Sequence, residues 1–275
     1  MPHDFLEVAL LTDVGNVRRY NEDSIAADPS RGILALADGM GGHRAGEVAS
    51  RMATEMLVAG LTAAVDSIRA NARQHAPLLA LQLSINRANK AIHEAGRLDT
   101  RYRGMGTTMA AALFHDNRVT LGHVGDSRIY RVRDGRLQLL TRDDSLLRDQ
   151  VEMGVISAAE ASQSHNRSLV TRALGIEDRI APHVADDTAQ PGDVFLLCSD
   201  GLNDLVEDDD IELIVASLSG NLPLAATHLV QAAKDNGGYD NVSVILAKVK
   251  APFEAQAQGL RARMRAFFAR LFGAG

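Results

Sequence analysis

The stretch Gly32-Ile33-Leu34-Ala35-Leu36-Ala37-Asp38-Gly39-Met40-Gly41-Gly42-His43 reads as an apolar, strand-like run that delivers an aspartate into a glycine-rich turn. Gly39, Gly41, Gly42 and, just beyond, Gly46 carry no side chain to block a ligand from backbone carbonyls and amides. A bare Asp-Gly would mark only a tight turn into the helix that starts near Glu47. The whole stretch is a far more specific signal.

Working outward, the same design recurs. Asp193-Val-Phe-Leu-Leu-Cys198 runs into Ser199-Asp200-Gly201, Arg118–Gly125 into Asp126-Ser127-Arg128, and Gly237-Gly238-Tyr239 into Asp240-Asn241 before a last strand. Singly, these are a helix cap, a hairpin bend and a turn. Together, aspartates at successive strand ends predict carboxylates converging on one place. With no lysine beside them, such oxygens suit a hard divalent cation, magnesium or manganese. Arg18-x-x-Asn21-Glu22-Asp23 adds two acids and an arginine. Arg18 reads either as half of a solvated Arg18-Arg19 pair or as a guanidinium fork for phosphate oxygens.

Strand-like runs are expected at 6–13, 32–38, 107–114, 118–125, 128–133, 136–140, 180–186, 193–198 and 242–249. Asp134-Gly135 between two of them is a type I′ hairpin signal. Helical spacing runs through 47–65 and 77–96, with later helices at 208–218 and 222–236. Strands and helices do not alternate, so the fold class is α+β: antiparallel sheets with helices layered outside them. Residues 141–171 show no sustained period and read equally as a surface excursion or as a flap over the site.

The 275 residues are 46% apolar and 23% charged, an ordinary globular profile with ample core material. The net charge of −6 is unevenly spread, because residues 251–275 hold four arginines against Glu254. The acidic remainder excludes nucleic acid as a partner. A single cysteine, Cys198, allows no internal disulfide and implies a reducing, cytoplasmic setting. The start of the chain lacks the pattern of a signal peptide, and no run suggests a membrane span.

Arg18-x-x-Asn-Glu-Asp23, Asp38-Gly-Met-Gly-Gly-His-x-Ala-Gly-Glu47, Gly104-Met-Gly-Thr-Thr108, Gly125-Asp-Ser-Arg128, Val170–Gly175, Cys198-Ser-Asp-Gly-Leu202 and Asp240-Asn-Val-Ser243 stand in an order that resembles the type 2C metal-dependent serine/threonine protein phosphatases, in their bacterial stand-alone form. The resemblance spans residues 12–244. It implies a four-layer α-β-β-α sandwich with a catalytic domain over 1–250 and a basic amphipathic tail over 251–275. It also implies two, and in bacterial members three, Mn2+ or Mg2+ ions. Asp38, Asp200 and Asp240 would hold the first. Asp38 and the Gly39 carbonyl, with Glu22 or Asp23 acting through water, would hold the second. Asp126 and Asp200 would hold a weaker third, although Asp126 could instead simply tie its bend together. A hydroxide bridging two metals about 3.5–4 Å apart would attack phosphoserine or phosphothreonine, with Arg18 orienting the phosphate. Animal members place His where Met40 stands, which leaves His43 or water to protonate the leaving oxygen. Relatives usually place His at Asp144, a difference that touches the flap and substrate preference. The implied partners are phosphorylated proteins and a cognate serine/threonine kinase, with the enzyme a monomer.

Other classes fail on the residues. Cys198 lacks an arginine six residues on, so it is no cysteine phosphatase, and no Gly-Lys pair marks a phosphate loop. A silent phosphoprotein-binding relative would have lost metal aspartates, and all are present. In the tail, Leu260, Met264, Phe267, Phe268, Leu271 and Phe272 share one helical side. That helix reads as packed on the domain or disordered in preference to docking on a membrane surface or a partner.

Overall fold

The computed structural model describes residues 5–41, 45–71, 76–157, 160 and 170–253. The elements in chain order are β1 (Leu6–Asp13), β2 (Asp23–Asp28), β3 (Ile33–Met40), α1 (Ala45–Asn71), α2 (Ala76–Leu98), β4 (Gly106–Thr107), β5 (Met109–His115), β6 (Arg118–Val124), β7 (Arg128–Arg133), β8 (Arg136–Leu139), α3 (Leu146–Glu152), β9 (His183–Thr188), β10 (Val194–Cys198), α4 (Asp200–Asn203), α5 (Asp208–Ser217), α6 (Leu222–Asp235) and β11 (Val242–Val249). One sheet runs β1-β11-β10-β7-β8. The other runs β2-β3-β5-β6-β9, with β4 added on β3. Every pairing is antiparallel.

The side-chain period of two sorts each central strand between two cores. On β3, Ile33, Ala35 and Ala37 face α1 and α2, while Leu34 and Leu36 fill the space between the sheets. On β10, Val194, Leu196 and Cys198 face α5 and α6, while Phe195 and Leu197 point back between the sheets. Both faces of the central strands are therefore dry, which is why these strands read as unbroken apolar runs despite being antiparallel. The result is the expected α-β-β-α sandwich, with three parallel apolar layers. Phe114 meets Phe195 edge-on at 5.2 Å in the middle layer, and Phe5 stacks on Phe253 at 4.6 Å. Phe253 is buried there, so core side chains continue three residues past the expected boundary at 250.

Ala45–Ser67 of α1 is long and apolar enough, by length and composition, to cross a membrane. Its Ala45, Ala49, Ala53, Leu57, Leu61 and Val65 instead lie at helical spacing in the core against the sheet. Three strand readings shift. β3 continues two residues past Asp38, because Gly39 and Met40 pair with Thr107 and Gly106 of β4. The expected strand over 107–114 is broken into β4 and β5. β9 starts three residues later than the apolar pattern implied, where His183 aligns with His123. β2 was not foreseen, since its six half-buried residues carry only a weak alternation.

Candidate metal centre

Strand pairing does most of the assembly. In the β2–β3 register Asp23 is the direct partner of Asp38. β11 packs across the inter-sheet space on β2 and β3, and β10 pairs with β11. Asp200, the first residue of α4 after β10, and Asp240, just ahead of β11, are thereby delivered to the same edge of the sandwich. Asp126, in the bend between β6 and β7, is 7% exposed and completes the group.

Electrostatics show how close this group is. Burial first, then the like charges of Asp23, Asp200 and Asp126, push the Asp38 carboxyl well above the carboxylate range. Burial followed by Asp126, Asp240 and Asp204 does the same to Asp200. Asp126 is raised to about 7 by burial, then by Asp143 and Asp204. Asp23 rises to about 6, chiefly through burial and against hydrogen bonds from Ser243 and Ser199. Half-buried anions set side by side share protons or bind a cation. One further observation favours the cation: Asp23 Oδ1 and Asp200 Oδ1 are buried and have no hydrogen-bond partner. An all-oxygen donor set of this kind fits Mn2+ or Mg2+.

A frame of hydroxyls and amides holds these groups. The Asp38 amide donates to Thr108 Oγ1 at 2.9 Å, and the Thr107 hydroxyl donates to the Asp38 carbonyl at 2.7 Å. Thr108 Oγ1 shares a 2.7 Å hydrogen bond with Ser127 Oγ, coupling the Asp38 strand to the Asp126 bend. Ser199 donates to Asp23 Oδ2 at 2.9 Å and accepts from the Ser243 amide at 3.0 Å, which ties the two sheets together. Asn241 is the hub of the rim: its amide group donates to the carbonyls of Val14 and Tyr20, and its Oδ1 accepts from the Glu22 amide at 2.8 Å.

The paired acids Glu22 and Asp23 part company. Asp23 points into the buried set. Glu22 stands at the rim, beside the backbone N–H groups of Gly46 and Glu47 at the start of α1, where the helix terminus favours a carboxylate. Burial raises the Glu22 pKa and Arg18 opposes the rise. Gly39 is required by approach distance, since an added Cβ would lie 2.2 Å from the Gly46 carbonyl oxygen and 2.5 Å from that of Glu22. Arg18 is no idle surface group: its Nη2 donates to Asp240 Oδ2 at 2.7 Å, and it feels the charges of Asp200 and Asp38. With its side chain half exposed, it presents a guanidinium over the mouth of an anionic well.

Of the expected site residues, Arg18, Glu22, Asp23, Asp38, Gly39, Asp126, Asp200 and Asp240 are thus brought together, whereas His43 lies outside the described residues. Residues 158, 159 and 161–169 of the expected flap and residues 254–275 of the tail lie outside them as well. Asp204, Asp143, Thr107, Thr108, Ser127 and Ser199 were not singled out. Thr107, Thr108, Ser127 and Ser199 stood inside the quoted motifs without a role of their own, and Asp204 is an acid four residues after Asp200, just past the end of α4. Cys198 is fully buried in β10, and burial pushes its thiol up to about 12, so it is no nucleophile.

A family model for protein phosphatase 2C matches residues 17–235. The chain belongs to the protein phosphatase 2C family. It is 36% identical over 250 residues to protein phosphatase PhpP of Streptococcus pneumoniae, a match covering 89% of this chain and 98% of that protein. It is 40% identical over 245 residues to the serine/threonine protein phosphatase PstP of Mycobacterium tuberculosis, covering 89% of this chain and 45% of that longer protein. The crystal structure of the Mycobacterium tuberculosis phosphatase PstP/Ppp superposes with a TM-score of 0.80 at 39% identity, covering 89% of this chain and 99% of that one. The PstP catalytic domain in complex with two manganese ions superposes with a TM-score of 0.77 at 38% identity, covering 89% and 98%. The phosphatase is accordingly a metal-dependent hydrolase of phosphoserine and phosphothreonine in proteins that uses Mn2+ or Mg2+.

Proposed function

We propose that the half-buried carboxylate set is the catalytic metal centre, with Asp38, Asp200 and Asp240 holding one ion. Asp38 and the Gly39 carbonyl hold a second, supported through water by Glu22 or Asp23. Asp126 and Asp200 take a weaker third. The observation that carries this reading is the pair of buried, unpartnered oxygens on Asp23 and Asp200 within a set of mutually repelling acids. Bound there, the ions supply positive charge for a phosphoryl group and acidify water into a nucleophile. The chain's own residues do the rest. Arg18 is anchored by Asp240 and half exposed, so its free N–H groups receive the phosphate oxygens at the mouth and orient the phosphorus toward the acids. The Thr107–Thr108–Ser127 hydroxyl frame keeps the Asp38 backbone from shifting during turnover. His43 or water gives the leaving serine or threonine oxygen its proton.

The enzyme is further proposed to act as a cytoplasmic monomer opposite a cognate serine/threonine kinase of a bacterial cell. A lone buried thiol suits such a reducing compartment. The catalytic unit, expected over residues 1–250, is proposed to run through Phe253, and the rest of the basic tail is proposed to be dispensable for chemistry. The decisive experiment is manganese-dependent hydrolysis of an aryl phosphate and a phosphothreonine peptide by the intact chain and by Asp38→Ala. Turnover that needs the ion and vanishes in the variant is expected. A chain that binds phosphopeptide but turns over neither substrate with Mn2+ or Mg2+ would be a silent binding relative. Faster cleavage of diesters than monoesters would make it a phosphodiesterase.

A further inference from the structure

A second constellation lies away from Asp38 and Asp200. His123 on β6 and His183 on β9 are direct partners across their strand pair, with rings stacked at 4.8 Å. Asp144, buried in the segment after β8, places Oδ1 3.1 Å from Nε2 of His183. One donor atom from each of the three lies within 4.8 Å of the other two. We infer that His123, Asp144 and His183 form a site for a transition-metal ion of the zinc class, separate from the oxygen-lined centre.

The contacts around His183 carry the argument. Arg172 Nη1 lies 3.3 Å from the same Nε2 and 3.8 Å from Asp144 Oδ1. A protonated Nε2 serves Asp144 and opposes the guanidinium, whereas a bare Nε2 serves the guanidinium and opposes the carboxylate. A cation held between Nε2 and Oδ1 uses both lone pairs at once, and half-exposed Arg172 is free to swing into solvent. The 3.1 Å gap is a little short of the roughly 3.3–3.6 Å edge of a tetrahedron of ligands each about 2.0–2.2 Å from one ion, so a small outward turn of His183 admits the ion.

The outer contacts fit as well. His123 Nε2 donates to the Arg142 carbonyl at 2.6 Å, which in the neutral ring leaves Nδ1 with a lone pair, and burial lowers its pKa, in favour of that neutral ring. Asp144 spends Oδ2 on the Gly125 amide at 3.1 Å and keeps Oδ1 for the ion. Ligands steadied by a backbone carbonyl and a backbone amide are the usual support of a metal site. Two imidazoles and one carboxylate favour zinc, cobalt or nickel, where the all-carboxylate centre favours magnesium or manganese. Half-exposed His183 leaves the remaining coordination position open to solvent. Asp144 also donates its amide to the Gly125 carbonyl at 2.9 Å, so an ion here would stiffen the bend that carries Asp126.

The test is a Co2+ titration of the full chain followed by dialysis, metal analysis and visible absorption, run on the wild-type protein and on Asp38→Ala, His123→Ala and His183→Ala. Wild type and Asp38→Ala are expected to retain a cobalt ion with the intense absorption of a low-coordinate, nitrogen-ligated site. His183→Ala and His123→Ala lose that absorption, and His183→Ala keeps manganese-dependent aryl-phosphate turnover. Because His183 is partly exposed, His183→Ala decides the matter if buried His123→Ala fails to fold by circular dichroism. Identical cobalt content and spectrum in wild type and His183→Ala, or only the weak spectrum of oxygen-ligated cobalt in Asp38→Ala, would overturn the assignment. Neither result depends on the catalytic reading.

Discussion

Arg18 shows how one side chain can be read two ways until its neighbours are known. Its bond to Asp240 holds it over the acids while leaving part of the fork open, so its work is expected to be phosphate capture. Arg18→Ala should lower kcat/KM for a phosphothreonine peptide by about tenfold to a hundredfold, the worth of one charged hydrogen bond. The loss should fall mainly on KM, and Arg18→Lys should recover only part of it; steady-state kinetics check both. The acids beneath it make a second expectation. Asp126 near 7 and Asp23 near 6 stand above the ordinary 3.8. A carboxyl raised in the folded state stabilises the ion-free protein below its unfolded pKa, and that stability is lost as pH climbs to the folded value. The melting temperature of chelator-treated protein should therefore fall between about pH 4 and about pH 7, and added Mn2+ should raise it more at the upper end. A flat profile in calorimetry would remove the raised pKa values from the account.

Among the elements, close approach matters more than propensity. The β3 backbone touches the start of α1 at Gly39, where a methyl group has no room. Gly39→Ala should displace that helix terminus and with it Glu22, costing roughly 1–3 kcal/mol of stability by analogy with overpacked cores and nearly all turnover. Gly135 supplies the contrast. In the β7–β8 hairpin Asp134 has φ 52° and Gly135 has φ 76°, the left-handed pair of a type I′ turn, yet nothing lies within 4 Å of an added Cβ. Gly135→Ala should cost about 1 kcal/mol and leave activity unchanged. Urea denaturation and aryl-phosphate turnover on the two variants separate the effects.

The molecule as a whole is a stack whose middle layer is closed by aromatics from near both ends of the described chain. Phe5 and Phe253 stack there, beside Phe114. Phe253→Ala should cost about 3–5 kcal/mol. A chain ending at 250 should show the same deficit, whereas one ending just after Phe253 should melt like the full chain. Equal stability of the chains ending at 250 and after 253 would show that the core closes without this ring. The layering also explains why a carboxylate cluster persists in so apolar a fold: it lies at the edge where both sheets run out, framed by hydroxyls and backbone amides.

Much of this was legible beforehand. Strand–Asp–Gly units are local signals, since an apolar run, an acid and a permissive turn lie within a few residues of each other, and β1, β7 and β11 have the bounds their alternation implied. β2 and the split of β4 from β5 were hidden, because short half-buried strands are defined by their partners and carry little pattern of their own. Amino-acid order alone pointed to the fold class, the metal-dependent chemistry and the acids proposed to serve it. Folding in three dimensions decided that Asp23 faces inward while Glu22 caps α1, that Arg18 is held by an acid 222 residues away, and that His123, Asp144 and His183 meet at all. The reason is physical: chemistry resides in residue types and their near neighbours, whereas the direction and partners of a side chain depend on strand register and packing between segments distant in the chain.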